Sequence, residues 1–365
     1  MKRRQFLSGA GAGLAATAVA APVATQAQPQ IRWRMASSFP KSLDTLFGSA
    51  EQLASRVAKL TDGKFEIRVF AAGEIVPPLQ VLDAVQNATI ECGQTAAYYY
   101  IGKNPAFAFD TALPFGLNAR QHNAWMYHGG GLDLMREVFG RYSIINFPGG
   151  NTGAQMAGWY RKEIKSVADL QGLKFRIGGL GGQVLAKLGV VPQQIGGPDI
   201  YPALEKGTID AAEWVGPYDD EKLGFQKVAK YYYYPGWWEG AAALSICVNT
   251  KSWQSLPKPY QEAIEVASAE ANVTMLAKYD ASNTAALRRL VAGGAQLRAF
   301  PRPVLEACHK AAHELYDELA AKSPDFRKIY APWSKFRDDQ YLWFRLAENS
   351  FDNFVYSAQA AARRK

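Results

Sequence analysis

Five side chains that could bind a small anion occur in three stretches of the sequence. They are Asn151 and Gln155 in NTGAQMAGWY, Arg176 in LKFRIGG, and Glu213 and Trp214 in IDAAEWVGPYD. Amides and guanidinium groups donate hydrogen bonds to carboxylates, and a protein carboxylate can hold a cation. This set of groups is suited to binding a small anion, with a cation beside it, and is poorly suited to breaking bonds.

The motifs of common enzyme sites are absent from the sequence. His309 and His313 have the i, i+4 spacing of a zinc-protease helix, but Lys310 stands where that motif requires a glutamate. The sequence contains no G-x-S-x-G turn of a hydrolase, and GGLGGQVLAKLG fails the dinucleotide-binding fingerprint. Asp219 and Asp220 stand in a polar run and are expected to face water. We therefore predict no catalytic residues.

The first 27 residues have the composition of an export signal. Lys2, Arg3 and Arg4 precede an Ala/Gly/Leu-rich run that ends in small residues, with Ala27 before the expected cleavage point. The pair Arg3-Arg4 followed by QFL is typical of the twin-arginine form. An N-terminal membrane anchor is the alternative, although glycines and Pro22 interrupt the run. We expect a periplasmic protein, exported by the twin-arginine route.

Charge and cysteine content exclude several partners. The formal net charge is +8, but Lys and Arg are dispersed and form no basic face with interleaved aromatics, so nucleic acid is not an expected partner. Cys92, Cys247 and Cys308 stand far apart without metal-ligand spacing. Their apolar surroundings favour three buried thiols, with one disulfide as the alternative.

The alternation of strand and helix patterns predicts an α/β fold. Residues 31–36 and 65–70 alternate apolar and charged side chains as strands do, and residues 43–60 between them have helical periodicity. This β–α–β order indicates a parallel sheet covered by helices. A chain of 365 residues exceeds the usual size of a single core, so we expect two domains.

The candidate side chains stand at or near the ends of predicted strands. Ligands of open α/β sheets bind beyond the carboxyl ends of strands. Arg176 stands near the end of a predicted strand, and Glu213-Trp214 end another. Tyr100 follows a third strand and is our choice for a ligand hydroxyl. From residue 258 the chain is predicted to be helical over 260–290, 303–322 and 338–362, and the last helix is rich in aromatics.

The chain resembles the solute-binding proteins of tripartite ATP-independent periplasmic (TRAP) transporters, and is most similar to their α-keto-acid-binding branch. The resemblance rests on SSFP after the first strand, LKFRIGG, LEKGTIDAAEW, the exported N-terminus and the aromatic final helix. It implies a two-domain periplasmic solute-binding fold with hinge strands and a long C-terminal helix. Domain I is expected at 28–150 plus 241–280, domain II at 151–240 plus 281–335, and the dimerising helix at 336–365.

The resemblance also implies how the ligand is held. Arg176 would clamp a carboxylate, with Asn151 and Tyr100 in the pocket. The implied ligands of a bound Na⁺, or alternatively Ca²⁺, are Gln155, Glu213, the main-chain carbonyl of Trp214, and Glu239.

The implied function is capture of a small monocarboxylate, a 2-oxo acid such as pyruvate, for delivery to TRAP membrane subunits. Lactate or another hydroxy acid could bind the same groups. A sensor ligand-binding subunit is a further alternative, and an exported organic-acid enzyme is disfavoured by the missing catalytic motifs.

Overall fold

The computed structural model describes residues 29–362, so the export signal that we predict at 1–27 lies outside the described residues. Its strands are β1 Ile31–Ser37, β2 Phe65–Phe70, β3 Cys92–Thr95, β4 Ile144–Asn151, β5 Trp159–Tyr160, β6 Lys174–Arg176, β7 Val191–Gln193, β8 Ala211–Ala212, β9 Tyr231–Tyr234, β10 Ala243–Asn249 and β11 Gln296–Ala299. Its helices are α1 Leu46–Leu60, α2 Val81–Gln86, α3 Ala108–Thr111, α4 Ala119–His128, α5 Gly131–Gly140, α6 Gly179–Lys187, α7 Gly197–Glu205, α8 Pro217–Leu223, α9 Thr250–Ser255, α10 Lys258–Ala292, α11 Arg302–Lys322, α12 Pro324–Leu346 and α13 Glu348–Ala362.

The first sheet has the strand order β2-β1-β3-β10-β4. Strand β1 runs parallel to β2 and β3, and β10 runs antiparallel to β3 and β4. Trp33 and Met35 are buried while Arg32 and Arg34 are exposed, which is the alternation that predicts this strand from the sequence. The helix-covered, largely parallel arrangement confirms the α/β class.

The second sheet has the order β11-β9-β5-β8-β6-β7. Strands β6, β7 and β8 are parallel, β9 is parallel to β11, and β5 pairs antiparallel with both β8 and β9. Arg176 is the last residue of β6, and Glu213 follows β8 directly. Two parallel neighbouring strands therefore deliver these residues to the same edge of the sheet.

Two short segments connect the sheets, besides the long path from β10 through α9 and α10 to β11. Residues 152–158 lead from β4 to β5, and residues 235–242 lead from β9 back to β10. Thr152 N donates to Ala242 O at 3.0 Å, and Gln155 N donates to Glu239 O at 3.1 Å. The two connections therefore run side by side and hold Gln155 next to Glu239.

Helix α10 is a single element of 35 residues that packs on α1, β4 and α8. It therefore packs against both sides of the protein. Helix α1 and strand β4 belong to the side of the first sheet, and α8 follows β8 of the second sheet. The domain limit that we predict at residue 280 falls inside this helix, and the predicted domain boundaries stay a prediction.

The C-terminal helix begins before the predicted position. Helix α12 starts at Pro324, where Ser323 Oγ accepts a hydrogen bond from Phe326 N at 3.2 Å, and proline suits the first helical turn. The helical path is interrupted at Ala347 before α13 begins. Apolar side chains on these helices are exposed, including Leu346, Phe351 and Phe354.

Two further expectations concern burial. The three cysteines are buried free thiols, as expected. Asp219 and Asp220, which we expected to face water, are instead fully buried in α8, because hydroxyl and indole donors from distant segments surround them. Among the helices of residues 29–362, none combines the length and apolar character that crossing a membrane requires.

Candidate functional site

A cavity with an empty volume of about 290 Å³, open solvent included, lies between the two sheets, at the segments that connect them. Its lining residues come from the first sheet's side, from the second sheet's side and from the connections. They are Phe39, Leu46, Ala96, Tyr98, Tyr99, Thr152, Gln155, Arg176, Trp214, Val215, Ala242 and Leu244. A cavity that joins one charged group to an apolar wall is typical of a small-molecule site.

Arg176 is held rigidly in this cavity at 1% exposure. Nε donates to Ile195 O at 3.0 Å, and Nη1 donates to Glu213 O at 3.0 Å and to the Glu213 carboxylate. The guanidinium carbon lies 4.9 Å from the centre of the Trp214 ring. Burial lowers the pKa of Arg176, but Glu213, Tyr99 and Tyr98 together outweigh the effect of burial, and the pKa is raised. The guanidinium is therefore permanently charged, and its buried Nη2 receives no partner from the described residues.

Glu213 uses only one of its carboxylate oxygens. Oε1 accepts a hydrogen bond from Gly178 N at 3.0 Å and pairs with Arg176, whereas Oε2 is buried without a donor from residues 29–362. Burial raises the pKa of Glu213, against the attraction of Arg176. Gly158, at φ 81°, lies so close that a Cβ there would be 2.4 Å from Ala212 O, so glycine is required for this packing.

Glu239 is 1% exposed, and neither of its carboxylate oxygens receives a hydrogen bond within the described part of the chain. Burial raises its pKa well above the usual range, and the nearby Glu213 charge raises it further. Gln155 donates through Nε2 to Thr152 Oγ1 at 3.1 Å, which leaves Gln155 Oε1 buried and unpartnered in the same region. Buried oxygens without donors are costly, and each such oxygen calls for a partner.

The four unpartnered oxygens suit a hard cation. They are Gln155 Oε1, Glu213 Oε2 and both carboxylate oxygens of Glu239. Na⁺ and Ca²⁺ prefer oxygen ligands of this kind, and two carboxylates beside one guanidinium leave a net negative charge for a cation to balance. Residues 29–362 contain no group of three or more His, Cys, Asp or Glu side chains arranged to hold a metal. The donor set of amide and carboxylate oxygens therefore fits an alkali or alkaline-earth ion, not zinc.

Comparison with known families identifies the family to which the chain belongs. The model of the family "Bacterial extracellular solute-binding protein, family 7" (DctP) matches residues 36–323. The chain belongs to this family. Its members are periplasmic receptors that bind solutes and are not enzymes.

Three relatives are similar over almost their whole length. A monocarboxylate 2-oxoacid-binding periplasmic protein of Nostoc sp. (strain PCC 7120) is 52% identical, over 98% of this chain and 100% of its own. A TRAP solute-binding protein of Bordetella bronchiseptica, a dimer with calcium and picolinate in one site and none in the other, is 60% identical, covers 92% and 99% of the two chains and has a TM-score of 0.91. A TRAP solute-binding protein of Pseudoalteromonas atlantica with bound sodium and pyruvate is 39% identical, covers 89% and 99% of the two chains and has a TM-score of 0.86.

The receptor brings most of the predicted site residues together. Arg176 contacts both Glu213 and Trp214, and main-chain hydrogen bonds place Gln155 beside Glu239. The Glu213 charge acts on the pKa of Glu239, so the two carboxylates share one environment. These five residues come from four separate segments of the sequence and form one buried cluster.

Asn151 and Tyr100 lie outside the cavity lining. Asn151 Oδ1 accepts from Gly153 N at 2.9 Å and shapes the start of the first connection, while the next residue, Thr152, lines the cavity. The Tyr100 hydroxyl accepts from Leu82 N at 3.0 Å and lies 3.2 Å from Thr95 Oγ1. The structure therefore favours other residues over Tyr100 for contact with a ligand.

Several lining residues were not predicted from the sequence. Tyr98 and Tyr99 line the cavity because Ala97–Tyr100 is a 3₁₀ helix, in which successive side chains point in different directions. A run of three tyrosines offers no basis for choosing among them. Phe39 could have been found, because it stands two residues after β1 and so lies near the carboxyl end of a parallel strand.

Proposed function

We propose that this receptor captures a small monocarboxylate, a 2-oxo acid such as pyruvate, through Arg176 and a bound cation, and delivers it to TRAP membrane subunits. The observation that carries the proposal is the set of four buried, unpartnered oxygens beside a guanidinium with a free Nη2. The 2-oxoacid-binding relative, and the relatives with sodium and pyruvate or with calcium and picolinate, support this ligand class.

The guanidinium would bind the ligand carboxylate. Nη1 and Nε of Arg176 already have acceptors, so Nη2 is the donor left for an incoming oxygen. Charge-assisted hydrogen bonds of this kind are short and about twice as strong as neutral ones. Because Glu213 and Ile195 fix the guanidinium before the ligand arrives, binding costs little ordering of this side chain.

The cation would be held by Gln155 Oε1, Glu213 Oε2, the Glu239 carboxylate and, as we infer from the family resemblance, the main-chain carbonyl of Trp214. A bound Na⁺ or Ca²⁺ supplies positive charge that a carboxylate oxygen and a neighbouring ketone oxygen can both approach. A 2-oxo acid offers that pair of oxygens. Lactate and other hydroxy acids offer a similar pair and are the alternative ligands.

The charge of the site favours neither ion alone. With both glutamates ionised, Arg176 leaves the cluster at one net negative charge, which Na⁺ would neutralise. Ca²⁺ would leave one positive charge, which a monocarboxylate would then neutralise. We propose Na⁺, with Ca²⁺ as the alternative, and relatives with each ion support both.

The apolar wall would contact the ligand's substituent. Phe39, Leu46 and Leu244 line the cavity from the first sheet's side, opposite the strands that carry Arg176. A ligand held by its carboxylate on one side and by its substituent on the other contacts both sheets. Such a ligand favours the closed form by its difference in affinity for the closed and open forms.

Titration calorimetry on the chelator-treated protein tests the proposal. We expect pyruvate to bind when CaCl₂ or NaCl is present and to bind at least about tenfold more weakly when choline chloride replaces them. Lactate in the same titrations distinguishes 2-oxo from hydroxy acids. Pyruvate and lactate both failing to bind with either cation would contradict the proposal.

The C-terminal helices are proposed to form a homodimer. Phe351 and Phe354 on α13 are 67% and 72% exposed, and Leu346 at the end of α12 is 66% exposed. Exposed large apolar side chains close together in sequence favour an interaction site, and the Bordetella relative is a dimer. Light scattering of the full chain and of a Phe351→Ser/Phe354→Ser variant would test this, since the variant is expected to be monomeric.

We also keep as proposals export by the twin-arginine route and the predicted domain limits. The twin-arginine route predicts that replacing Arg3 and Arg4 by lysine retains the protein in the cytoplasm. Limited proteolysis of the mature protein would test the domain limits.

A further inference from the structure

Residues 113–118, here called the bridging loop, connect α3 to α4 and contact the segment that carries Glu239. Phe115 N donates to Trp237 O at 2.7 Å, and the Phe115 and Trp237 rings stack with centroids 4.9 Å apart at 10°. Gly240 lies against the loop, since a Cβ there would be 2.8 Å from Leu117 O. The loop therefore touches the chain on both sides of Glu239.

The opposite side of the bridging loop is attached to the C-terminal helices. The Tyr341 hydroxyl of α12 lies 2.7 Å from Phe115 O and 2.9 Å from Gly116 O, and these two carbonyls share its single proton. The Tyr316 hydroxyl of α11 donates to Pro114 O at 2.5 Å. Two tyrosines from different helices thus hold three successive carbonyls of one short loop.

Phe115 is in a strained conformation. Its φ is 51°, in the left-handed region that bulky side chains rarely adopt. Such strain persists only where surrounding contacts impose it, and it concentrates near functional sites. Here the contacts that impose it are the ones made by Tyr341 and Trp237.

We propose that Phe115 and Tyr341 are positioning residues for Glu239, acting through Trp237. This proposal rests on the proposed function of Glu239 as a cation ligand. The Glu239 carboxylate receives no hydrogen bond from the described residues, so only the placement of its segment orients it. Tyr341 holds the bridging loop in place, and the stacked Phe115 ring holds Trp237 in place. Trp237 precedes Glu239 by two residues.

Calcium titration of the chelator-treated full chain tests the proposal. Tryptophan fluorescence monitors the titration, and no organic ligand is present. Tyr341→Phe removes only the hydroxyl, and Phe115→Gly removes the ring while permitting the same backbone. We expect both variants to bind calcium about tenfold more weakly. Pyruvate affinity at saturating calcium is expected to change less than about threefold, because Arg176 stays in place. Tyr142→Phe, which removes a hydroxyl that donates to Lys103 O, is the matched control.

A second readout uses the cation-free protein. The amides of Gln155 and Glu239 donate to Glu239 O and Gly236 O, and we expect both to exchange hydrogen faster in the two variants than in the control. Unchanged exchange at these amides, or wild-type calcium affinity in both variants, would overturn the positioning role. If the wild-type chain binds neither sodium nor calcium, the proposed function fails, and the exchange measurement still decides whether the loop positions Glu239.

Discussion

Four buried carboxylates form two pairs, Asp219 with Asp220 and Glu213 with Glu239. The pairs differ in how many of their oxygens receive hydrogen bonds. Asp219 accepts from Thr45 Oγ1 at 2.7 Å and Tyr279 OH at 2.6 Å, and Asp220 accepts from Trp159 Nε1 at 3.1 Å and Tyr232 OH at 2.7 Å. Glu213 and Glu239 together leave three oxygens without a donor among residues 29–362. Burial raises the pKa in both pairs.

The difference separates scaffold from site. Thr45 belongs to the first sheet's side, Asp219 to α8 and Tyr279 to α10, so the satisfied pair ties distant segments together. The glutamates are buried, but three of their oxygens lack hydrogen-bond donors from the described residues. A folded chain retains such oxygens only where another partner completes the site. Equal burial and equal pKa direction therefore do not imply equal roles, and the hydrogen-bond donors decide between them.

The largest expected effect is on ligand binding in Arg176→Ala. Removing the guanidinium should weaken pyruvate binding by about 3–5 kcal/mol, because a buried charged donor is lost and Glu213 is left unpaired. Calorimetry in calcium buffer measures this loss, and circular dichroism checks that the fold is kept. Arg298→Ala, which breaks a half-buried ion pair with Glu163, is the control and should bind as the wild type does. Unchanged affinity in Arg176→Ala would remove the basis for the site.

Asp220→Ala should lower the free energy of unfolding by about 3 kcal/mol. The indole of Trp159 and the hydroxyl of Tyr232 would be left buried without an acceptor. Urea unfolding measures the change. Pyruvate affinity of the folded fraction is expected to stay within about threefold of the wild type. A variant as stable as the wild type would show that the satisfied pair is not the scaffold we describe.

Exchanging a carboxylate for an amide should have opposite effects on stability at Glu239 and at Asp220. Glu239→Gln removes a buried carboxyl whose pKa burial raises well above the usual range, and should raise the stability of the cation-free protein at neutral pH by about 1–2 kcal/mol. Asp220→Asn should lower it, because one of the donors then faces an amide N–H. The first exchange should also weaken calcium binding about 10- to 100-fold. Thermal unfolding with and without calcium compares the variants, and the same sign in both would contradict the distinction.

A change in pH dependence is expected in Asp219→Asn, with a smaller effect than that of Asp220→Ala. Burial raises the pKa of Asp219 to about 6 in the folded protein, above its unfolded value of about 4. Between these values the folded state keeps a proton that the unfolded state has lost, so the Asp219 contribution to stability falls as pH rises from about 4 to 6 and is then constant.

The asparagine variant lacks this loss and can still bond both hydroxyls. It should therefore gain about 1–3 kcal/mol relative to the wild type between pH 4 and pH 7. Urea unfolding at the two pH values gives this difference. Parallel pH profiles for the two proteins would show that Asp219 does not titrate between them.

Much of the site was predictable because its residues carry local signals. Arg176 ends a short apolar strand, and Glu213 and Trp214 follow another, so the rule that ligands bind at the carboxyl ends of strands is enough to locate them from the sequence. Glu239 had no such signal from strand order, and the family resemblance alone suggested it.

The positions of other residues depended on tertiary contacts, which no local sequence pattern indicates. Tyr100 follows a strand as Tyr98 does, but the 3₁₀ turn directs its hydroxyl to Leu82 N and leaves Tyr98 to line the cavity. The early start of α12 is different, because it depends on the Ser323 cap and Ser-Pro is itself a local signal for a helix start.

The sequence by itself determined the alternation of strands and helices, the kinds of donor and acceptor available, and the family to which the chain belongs, since these depend on residue type and spacing. Only the tertiary structure decided which buried acids are satisfied. The partners of Asp219 come from residues 174 positions before it and 60 after it in the chain, whereas no donor among the described residues reaches Glu239. Burial and donors from distant segments set the charge state and the role of a carboxylate, and neither can be read from its sequence neighbours.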